Sequence, residues 1–323
     1  MNNINEGVDT GIDVKIGVVI VTYNRLSLLQ TALRCFEEQT YLPIFVIVVD
    51  NACTDGTSDY LNEWKSRNEL YEKIIVRNEK NEGGAGGFYA GLAVALKKTA
   101  DYIWVSDDDA YPDKDALLFA AEFLKTKNHE DISAICGKVI NNNQIDYFHR
   151  KSYIRCGINI VESYPKKELY NDTSFEINCF SYVGSIISRK KMIEEGLPIK
   201  DYFIAYDDSE HSLRLSKVGK IYCIPKITVY HNVSATNDVI DWKTYYGYRN
   251  KIDMFRRHFP WYCYYYYLLQ LTLCLIVWNF NGKGDKHKVV KDAIRDAVKQ
   301  RLGISVIYTP GWKSGENALK IED

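Results

Sequence analysis

Residues 102–110, with the sequence Tyr-Ile-Trp-Val-Ser-Asp-Asp-Asp-Ala, join a short apolar run directly to three consecutive aspartates. The apolar part has the β-branched and aromatic composition of a buried strand. Three adjacent carboxylates raise one another's pKa unless a cation neutralises them, and their oxygens suit Mg²⁺ or Mn²⁺. A run of acids is more often a solvated turn. Its position at the carboxyl end of a strand favours a ligand site instead, because open α/β sheets bind ligands at that edge.

Two earlier strands also end in polar residues. Residues 14–21 form a nearly continuous β-branched run that leads into 22–25 (Thr-Tyr-Asn-Arg), and residues 44–49 form another that ends in Asp-Asn at 50–51. A third short strand is predicted over 73–77. Segments with helical periodicity separate these strands, so the sequence predicts an α/β fold with a parallel sheet and crossover helices. The polar strand ends are expected to meet at one edge of that sheet.

A glycine-rich segment precedes the aspartate strand. Residues 83–87 read Gly-Gly-Ala-Gly-Gly, and residues 90–98 are predicted to form a helix. The segment is not a dinucleotide fingerprint, because the last glycine of that pattern would fall on Tyr89, and no phosphate-loop Gly-Lys-Ser/Thr is present. Four glycines permit close approach of the backbone to a ligand. The alternative interpretation is a flexible loop.

The second half of the chain alternates less regularly. An irregular insertion on the acceptor side is predicted over 140–176 and a short helix over 190–195. Strands are predicted over 132–137, 180–188, 221–224 and 227–230. A second acidic cluster, 207–210 (Asp-Asp-Ser-Glu), opens a helix. Acids at a helix N-terminus are favoured by the helix dipole, and this structural role alone could explain them.

Composition excludes several classes of function. The chain of 323 residues has a formal net charge of −1 and 46% hydrophobic residues, so it can bury a sizeable core but presents no global basic field for nucleic acid. Its eight cysteines show no zinc-binding spacing and are interpreted as reduced cytosolic thiols. Residues 1–13 are polar, so no secretory signal is expected there.

These motifs, in this order, resemble the family 2 glycosyltransferases of the GT-A fold, and most closely the rhamnosyl- and galactofuranosyltransferase branch. The resemblance covers residues 15 to about 250. The residues that carry it are Thr22-Tyr23-Asn24-Arg25, Asp50-Asn51 with Asp55-Gly56-Thr57, Asn81 with Gly83-Gly84 and Gly86-Gly87, Asp107-Asp108-Asp109, Tyr206-Asp207-Asp208 with Glu210, His231, and Tyr245-Tyr246-Gly247-Tyr248-Arg249-Asn250. The glycine-rich segment is more similar to galactofuranosyltransferases than to rhamnosyltransferases.

The resemblance implies a Rossmann-like, nucleotide-sugar-binding GT-A domain over 14–240, after a polar tail over 1–13. Its nucleotide-binding half covers about 14–110 and its acceptor half about 111–240, and a helical extension follows over 241–323. The implied nucleotide-sugar site consists of Thr22, Tyr23, Arg25, Asp50, Asn51, Asn81, Gly83, Gly84, Gly86, Gly87, Asp107 and Asp108. Within it, Asp50 is expected to accept a hydrogen bond from a uracil ring.

The resemblance also implies the metal and the base. Asp107, Asp109 and His231 are expected to hold Mn²⁺ or Mg²⁺ on the donor diphosphate. For His231 taken alone, a packed histidine at a strand end is the more common structural role. Asp208 best matches the general base of the family, and Asp207 stays a candidate.

The chemistry is consistent with these roles. Transfer from a nucleotide sugar needs a cation on the leaving diphosphate and a carboxylate that deprotonates the acceptor hydroxyl. A single base gives inversion, whereas a double displacement needs a second, nucleophilic carboxylate. We therefore expect an inverting enzyme that moves galactofuranose from UDP-galactofuranose to a glycan or polyprenyl-linked saccharide in cell-surface polysaccharide synthesis. The alternatives are a rhamnosyltransferase that uses dTDP-rhamnose and a non-catalytic scaffold. A nucleotidyltransferase is disfavoured, because no glycine-rich, basic loop lies near the first strand.

The segment 259–282 carries no charged residue and is rich in aromatic side chains. It is long enough to span a bilayer, but polar residues interrupt it and basic residues flank both sides. Two basic flanks favour a helix that lies in the plane of an anionic membrane over a spanning helix. We therefore expect a peripheral protein on the inner face of the cell membrane. The alternatives are a homo-oligomer interface and a helix that spans the membrane.

Overall fold

The computed structural model describes residues 13–67, 70–126, 131–231 and 239–315. The polar tail predicted over 1–13 lies outside the described residues except for Asp13, as does the end of the helical extension, 316–323.

The first half of the chain alternates strands and helices, as the sequence predicts. The elements are β1 (Ile16–Thr22), α1 (Leu26–Glu37), β2 (Phe45–Asp50), α2 (Thr57–Ser66), β3 (Glu72–Arg77), α3 (Gly83–Ala95) and β4 (Tyr102–Asp107). The four strands pair in parallel in the order β3-β2-β1-β4. The register sets Thr22 opposite Asp50 and Val21 opposite Asp107. The polar strand ends therefore do lie at one edge of the sheet.

The second half extends this sheet and adds a smaller one. The elements are β5 (Ala110–Pro112), α4 (Ala116–Thr126), β6 (Ile132–Asn141), β7 (Gln144–Ile145), β8 (Arg150–Cys156), β9 (Asn159–Ser163), β10 (Phe175–Ile177), β11 (Cys179–Phe180), β12 (Ser185–Ser188), α5 (Arg189–Glu195), α6 (Asp207–Val218) and β13 (Lys220–His231). The main sheet has the order β10-β13-β6-β12-β4-β1-β2-β3. Because β12 is antiparallel to both β4 and β6, the whole sheet is mixed.

Helices cover both faces of the main sheet. Alternate residues of β1 enter two different apolar clusters: Val18 and Ile20 pack with α1, α2 and α4, whereas Val19 and Val21 pack with α3, α5 and α6. This alternation follows from the two-residue period of a strand. The sandwich fixes the carboxyl ends of β1, β2 and β4 relative to one another.

The alternative interpretation of the glycine segment as a flexible loop is wrong, because these residues form the first turns of α3, which begins at Gly83 rather than at residue 90. Glycine has a low helix propensity, but here it lets the helix lie close to the sheet. A Cβ at Gly87 would lie 2.5 Å from Val21 Cγ1, and one at Gly91 would lie 2.5 Å from Val19 Cγ1. Close packing of the helix on β1 therefore decides the conformation.

Three predictions for the second half also need correction. The segment 140–176 is not irregular throughout, because β8 and β9 form an antiparallel hairpin that joins β11 in a three-stranded sheet. The predicted strand over 180–188 is broken between β11 and β12, where Gly184 has a φ of +66°. The two strands predicted over 221–230 form one strand, β13, with a register shift between Ile224 and Thr228.

Three helices form the described part of the C-terminal extension. They are α7 (Trp242–His258), α8 (Trp261–Phe280) and α9 (Gly284–Val298). The spacing of Ile294, Ala297 and Leu302 predicts an amphipathic helix, which corresponds to α9, although Leu302 lies beyond its end. Helix α8 packs against α7, α9 and β9. Within the described ranges, α8 alone is long and apolar enough to cross a membrane, judged by length and composition.

Candidate active site

A cavity of about 210 Å³ lies at the carboxyl ends of β1, β2 and β4. Its walls come from two parts of the chain. The sheet and α3 contribute Val21, Thr22, Tyr23, Arg25, Asn51, Asn81, Gly83, Gly84, Asp107 and Asp108, and later segments contribute Phe203, Ile204, Trp242, Lys243 and Pro310. The structure thus brings together all the residues predicted for the nucleotide-sugar site except Asp50, Gly86 and Gly87.

The three exceptions lie close behind the cavity wall. Asp50 is buried and accepts hydrogen bonds from Cys53 N (2.8 Å) and Ser58 Oγ (2.5 Å). A uracil ring that donates to Asp50 would have to share an oxygen with these donors. Gly86 faces the preceding turn of the chain and Gly87 faces β1, so both serve helix packing rather than the cavity surface.

Asn51 organises the entrance to α3. Its Nδ2 donates to Asn81 Oδ1 (3.1 Å) and to the Gly83 carbonyl (3.0 Å), and its Oδ1 accepts from Glu82 N at 3.1 Å. Asn81 Oδ1 in turn accepts from Gly83 N at 2.8 Å. These bonds aim the N-terminus of α3 at the cavity, a direction that favours a bound phosphate. Gly84 has open space where a Cβ would stand.

The three consecutive aspartates have different partners. Asp108 accepts from Thr22 Oγ1 (2.7 Å) and contacts Arg25 Nη1 (3.3 Å). Asp109 contacts the same Arg25 nitrogen at 2.7 Å and His231 Nε2 at 3.2 Å. The pairing of β13 with β5 brings His231 to this edge, opposite Ala110. The predicted set of Asp107, Asp109 and His231 therefore lies in one neighbourhood.

The electrostatics of this neighbourhood favour a cation. Burial together with the charges of Asp109 and Asp108 raises the pKa of Asp107 to about 8. Burial also raises the pKa of Asp108 to about 6, although Thr22 and Arg25 act against the shift. At Asp109 burial acts upward, but His231 and Arg25 outweigh it and lower the pKa. A divalent cation would relieve the repulsion that shifts Asp107.

The predicted ligands Asp107, Asp109 and His231 are of types that suit Mn²⁺ or Mg²⁺, but their side chains do not surround a single point. Two carboxylates and an imidazole match the ligand preference of Mn²⁺ in particular. His231 Nδ1 is buried without a hydrogen-bond partner, so this histidine is not fully engaged by the protein. Across residues 13–67, 70–126, 131–231 and 239–315, no three His, Cys, Asp or Glu side chains converge closely enough to hold an ion as they stand. Instead, Asp109 is paired with His231 and Arg25.

The second acidic cluster opens α6. Tyr206, in the left-handed conformation (φ 66°), precedes Asp207 and Asp208 at the helix N-terminus. Burial and the neighbouring charge of Asp208 raise the pKa of Asp207 to about 8. Burial also raises the pKa of Asp208, but Lys151 and the Ser209 donors oppose this shift. Asp208 Oδ1 accepts from Ser209 N at 2.5 Å and Ser209 Oγ at 3.1 Å.

A second cavity, of about 420 Å³, reaches Tyr206, the residue directly before this cluster. It lies between Tyr206, α7 and α8, and its lining is aromatic and mixed: Tyr206, Thr244, Gly247, Tyr248, Lys251, Tyr267 and Leu271. Lys251 is ion-paired with Glu162. Because aromatic rings stack on sugar faces, this cavity is suited to a saccharide.

Sequence reasoning missed several residues of both cavities. Trp242, Lys243 and Pro310 reach the first cavity from the C-terminal extension, and Phe203 and Ile204 reach it from the segment before α6. The aromatic run at 245–248 could have pointed to some of these residues. It belongs to a motif that carries the family resemblance, and it lies on α7, the helix that begins with Trp242.

Comparison with known proteins identifies the family of this chain. Residues 17–196 match the family described as glycosyl transferase family 2, which covers more than half of the chain. The chain therefore belongs to glycosyl transferase family 2, and the prediction of that family is confirmed. The predicted fold, an α/β domain of the GT-A type with C-terminal helices, is confirmed as well.

Two individual relatives are glycosyltransferases named for different sugars. Galactofuranosyltransferase GlfT1 of Mycobacterium tuberculosis is 36% identical over 204 residues, which cover 62% of this chain and 64% of that protein. Abequosyltransferase RfbV of Salmonella typhimurium is 28% identical over 182 residues, 54% of this chain and 53% of that protein. Each match spans less than two thirds of the relative.

A solved structure supports the fold alone. The crystal structure of GalNAc-T7 with UDP, GalNAc and Mn²⁺ superposes with a TM-score of 0.59 at 15% identity, over 77% of this chain and 49% of that one.

Proposed function

We propose that the protein is an inverting, metal-dependent glycosyltransferase that moves galactofuranose from UDP-galactofuranose to a hydroxyl of a glycan or polyprenyl-linked saccharide. The observation that carries this proposal is the arrangement of two cavities around two acidic clusters. The first cavity is lined by Asp107 and Asp108, and the second is lined by Tyr206, the residue before Asp207 and Asp208. The charge of Asp207 contributes to the raised pKa of Asp107, so the two acidic clusters are near each other. The similarity to GlfT1 supports galactofuranose as the sugar.

Asp208 is the better candidate for the base. A base must be ionised before it can accept a proton. Asp207 has a pKa near 8 and is therefore largely protonated at neutral pH. Burial raises the pKa of Asp208 too, but Lys151 and the hydrogen bonds from Ser209 oppose this shift and favour the ionised form. The acceptor oxygen attacks the anomeric carbon, the bond from that carbon to the UDP oxygen breaks, and the hydroxyl proton passes to Asp208. A single displacement of this kind inverts the anomeric centre.

Asp107, Asp109 and His231 would hold the divalent metal. When bound, Mn²⁺ or Mg²⁺ supplies charge neutralisation on the leaving diphosphate. Thr22 Oγ1 donates to Asp108 and Arg25 Nη1 contacts Asp109, each at 2.7 Å. These contacts hold the two carboxylates in place. The donor nucleotide would occupy the cavity bounded by Asn51, Asn81 and the start of α3.

The donor is the part of the proposal that related proteins leave open. RfbV, as its name states, transfers a different sugar, and dTDP-rhamnose stays an alternative donor. Purified protein with Mn²⁺ should be screened against UDP-galactofuranose, dTDP-rhamnose and UDP-N-acetylglucosamine, with linkage analysis of the products. We expect UDP-galactofuranose to give product at a rate at least about tenfold above the others, which corresponds to about 1.4 kcal/mol. Preference for dTDP-rhamnose would replace the proposed donor, and failure with every donor would favour a scaffold.

We also propose that the protein docks on the inner face of the cell membrane through α8. Seven large side chains on this helix are more than half exposed, and they recur mostly at intervals of three or four residues along one side. They are Trp261, Tyr265, Leu269, Leu273, Ile276, Val277 and Phe280. A one-sided apolar stripe of this kind suits an interface that is apolar on one side only.

The other side of α8 belongs to the catalytic domain. Cys263 and Leu271 are buried in a cluster with residues of α6 and α7, and Arg155 donates to Tyr262 Oη at 2.9 Å. A helix that crossed the bilayer would carry the contact between Arg155 and Tyr262 toward hydrocarbon, where a charged side chain is costly. An in-plane position avoids this cost. After α8 the exposed lysines Lys283, Lys288 and Lys291 supply attraction to anionic lipid.

A further inference from the structure

The segment between α5 and α6 holds an unusual concentration of backbone strain. Phe203, Ala205 and Tyr206 all have φ near +65°, although none is glycine. Phe203 combines this φ with a ψ of −59°, and Ile204 N donates to the Tyr202 carbonyl across it at 2.8 Å. This is the γ-turn of the rare, strained type. Each such residue is strained, so contacts elsewhere must hold the segment in place.

This strained segment, residues 201–206, touches both parts of the proposed active site. Phe203 and Ile204 line the donor cavity, and the Phe203 carbonyl accepts from Ala85 N at the start of α3 (3.1 Å). A Cβ at Gly83 would overlap that carbonyl, so the segment and the glycine helix pack without a gap. At its other end, Tyr206 leads directly into Asp207 and Asp208. The conformation of the segment therefore sets the base relative to the donor.

Two buried side chains of α7 bind the carbonyls of this segment. Asn250 is fully buried, and its Nδ2 donates to the carbonyls of Tyr202 (3.0 Å), Ile204 (2.9 Å) and Ala205 (2.8 Å). Arg249 is 1% exposed. Its Nη2 donates to the carbonyls of Asp201 (3.2 Å) and Tyr202 (3.1 Å).

Arg249 also orients its neighbour. Its Nε donates to Asn250 Oδ1 at 2.9 Å, which directs the amide nitrogen of Asn250 toward the strained segment. Its Nη1 donates to the Gly303 carbonyl at 2.5 Å, so the guanidinium also ties the segment to the chain after α9. The described hydrogen bonds of Arg249 include no carboxylate partner. The guanidinium also lies over the rings of Tyr245 (5.5 Å) and Tyr246 (4.9 Å). A buried guanidinium whose described hydrogen bonds go to carbonyls and one amide is costly and specific in its geometry.

We propose that Arg249 and Asn250 are positioning residues for glycosyl transfer: they hold the strained segment in the conformation that sets Asp208 against the donor cavity. The inference rests on the proposed function and deepens it, because it assigns a task to a pair that touches neither substrate. A merely structural pair would stabilise the fold without favouring the rate of the chemical step.

The test is the Asn250→Asp variant, which keeps the size of the side chain and removes both N–H donors. We expect kcat to fall about tenfold or more, while the Kd for UDP, measured by calorimetry, changes less than about threefold. Arg249→Lys, which keeps the charge but loses the planar fork, should give an intermediate loss and serves if the first variant does not fold.

The matched control is Tyr308→Phe. It removes another buried hydrogen bond of the C-terminal extension, from Tyr308 Oη to Asp292 on α9 at 2.8 Å. We expect it to lower Tm comparably and to leave kcat within twofold. If the Asn250 and Arg249 variants retain kcat at a similar loss of Tm, the pair is structural and the inference is wrong.

Hydrogen exchange separates this inference from the proposed function. Asn250→Asp should speed amide exchange in 201–206 at least about tenfold and leave β1 and β2 protected, whether or not transfer is observed. Unchanged exchange would contradict the positioning role. Absence of transfer by the wild-type protein with every donor would contradict the proposed function instead.

Discussion

At the scale of single residues, three adjacent and chemically identical aspartates lie in three different environments. Asp107 ends β4 and is surrounded by carboxylates, Asp108 is held by Thr22, and Asp109 is paired with Arg25 and His231. The sequence predicted all three as site residues, because an acidic run after an apolar strand is informative. It could not show which carboxylate is held by Thr22 or Arg25, since those contacts join residues more than 80 positions apart.

Removal of a proposed metal ligand should stop turnover without unfolding the protein. Asp109→Ala is expected to lower Mn²⁺-dependent kcat by about 10²-fold or more, because the diphosphate charge is then poorly neutralised. Thermal unfolding checks that the variant is folded, and Asp115→Ala, a change to an acid between β5 and α4, should keep full activity. Full wild-type activity in excess chelator would contradict the metal requirement.

The two acids of α6 should differ in kinetics. Asp208→Asn is expected to lower kcat by about 10²-fold or more, the scale of a lost general base, with the Kd for UDP nearly unchanged. Asp207→Asn should keep more activity, because that carboxyl is already largely protonated at neutral pH. If Asp207→Asn loses turnover and Asp208→Asn keeps it, the assigned roles are exchanged.

The raised pKa of Asp207 also predicts a pH dependence of stability. An unfolded aspartate ionises near pH 3.8, whereas burial and Asp208 raise the pKa of Asp207 in the folded protein to about 8. Its contribution is therefore fully present below pH 3.8 and is lost as the pH rises toward 8. Without added metal, Asp207→Asn should lose less Tm than wild type between pH 5 and pH 8, by about 2 °C or more. Equal losses in both proteins would contradict the assignment.

At the scale of elements, the sequence predicted the strands well because their β-branched runs are long and buried on both faces. It failed where packing overrides propensity. The four glycines among residues 83–87 have low helix propensity but form the first turns of α3, since only small residues let the helix approach β1. The hairpin of β8 and β9 escaped detection because its faces are mixed: Tyr153 is buried whereas Ile154 is exposed. No clean alternation marks it in the sequence.

The exposed side of α8 gives a prediction at this scale. The purified protein should sediment with liposomes that contain anionic lipid, and salt should weaken this association without abolishing it. Leu273→Glu together with Ile276→Glu should release the protein at least about tenfold while sparing transfer to a short soluble acceptor, because both side chains point away from the domain. Ile193→Glu, at an exposed apolar site on α5, is the matched control.

An oligomer is the alternative occupant of that face. If the protein ignores liposomes and forms a stable oligomer that the two α8 substitutions dissociate, the membrane assignment is wrong. Both results can be obtained from one preparation by sedimentation with and without lipid.

At the scale of the whole molecule, the C-terminal extension is part of the site rather than an appendage. Trp242, Lys243 and Pro310 complete the donor cavity, and α7 holds the segment that leads into Asp207 and Asp208. The sequence predicted helices there and placed residues 245–250 in a family motif, but it proposed a role only for 259–282, as a membrane or interface segment. These contacts depend on tertiary packing between distant segments, for which no local pattern in the sequence is diagnostic.

The central claim is that one carboxylate drives a single displacement from a nucleotide sugar, and its stereochemistry can be measured directly. The purified protein is incubated with Mn²⁺, UDP-galactofuranose and a soluble saccharide acceptor, and the anomeric configuration of the product is followed by proton NMR as it forms. We predict a product whose new linkage has the configuration opposite to that of the donor, formed by wild type and lost in Asp208→Asn. A product with retained configuration would contradict the account, because it requires a second, nucleophilic carboxylate.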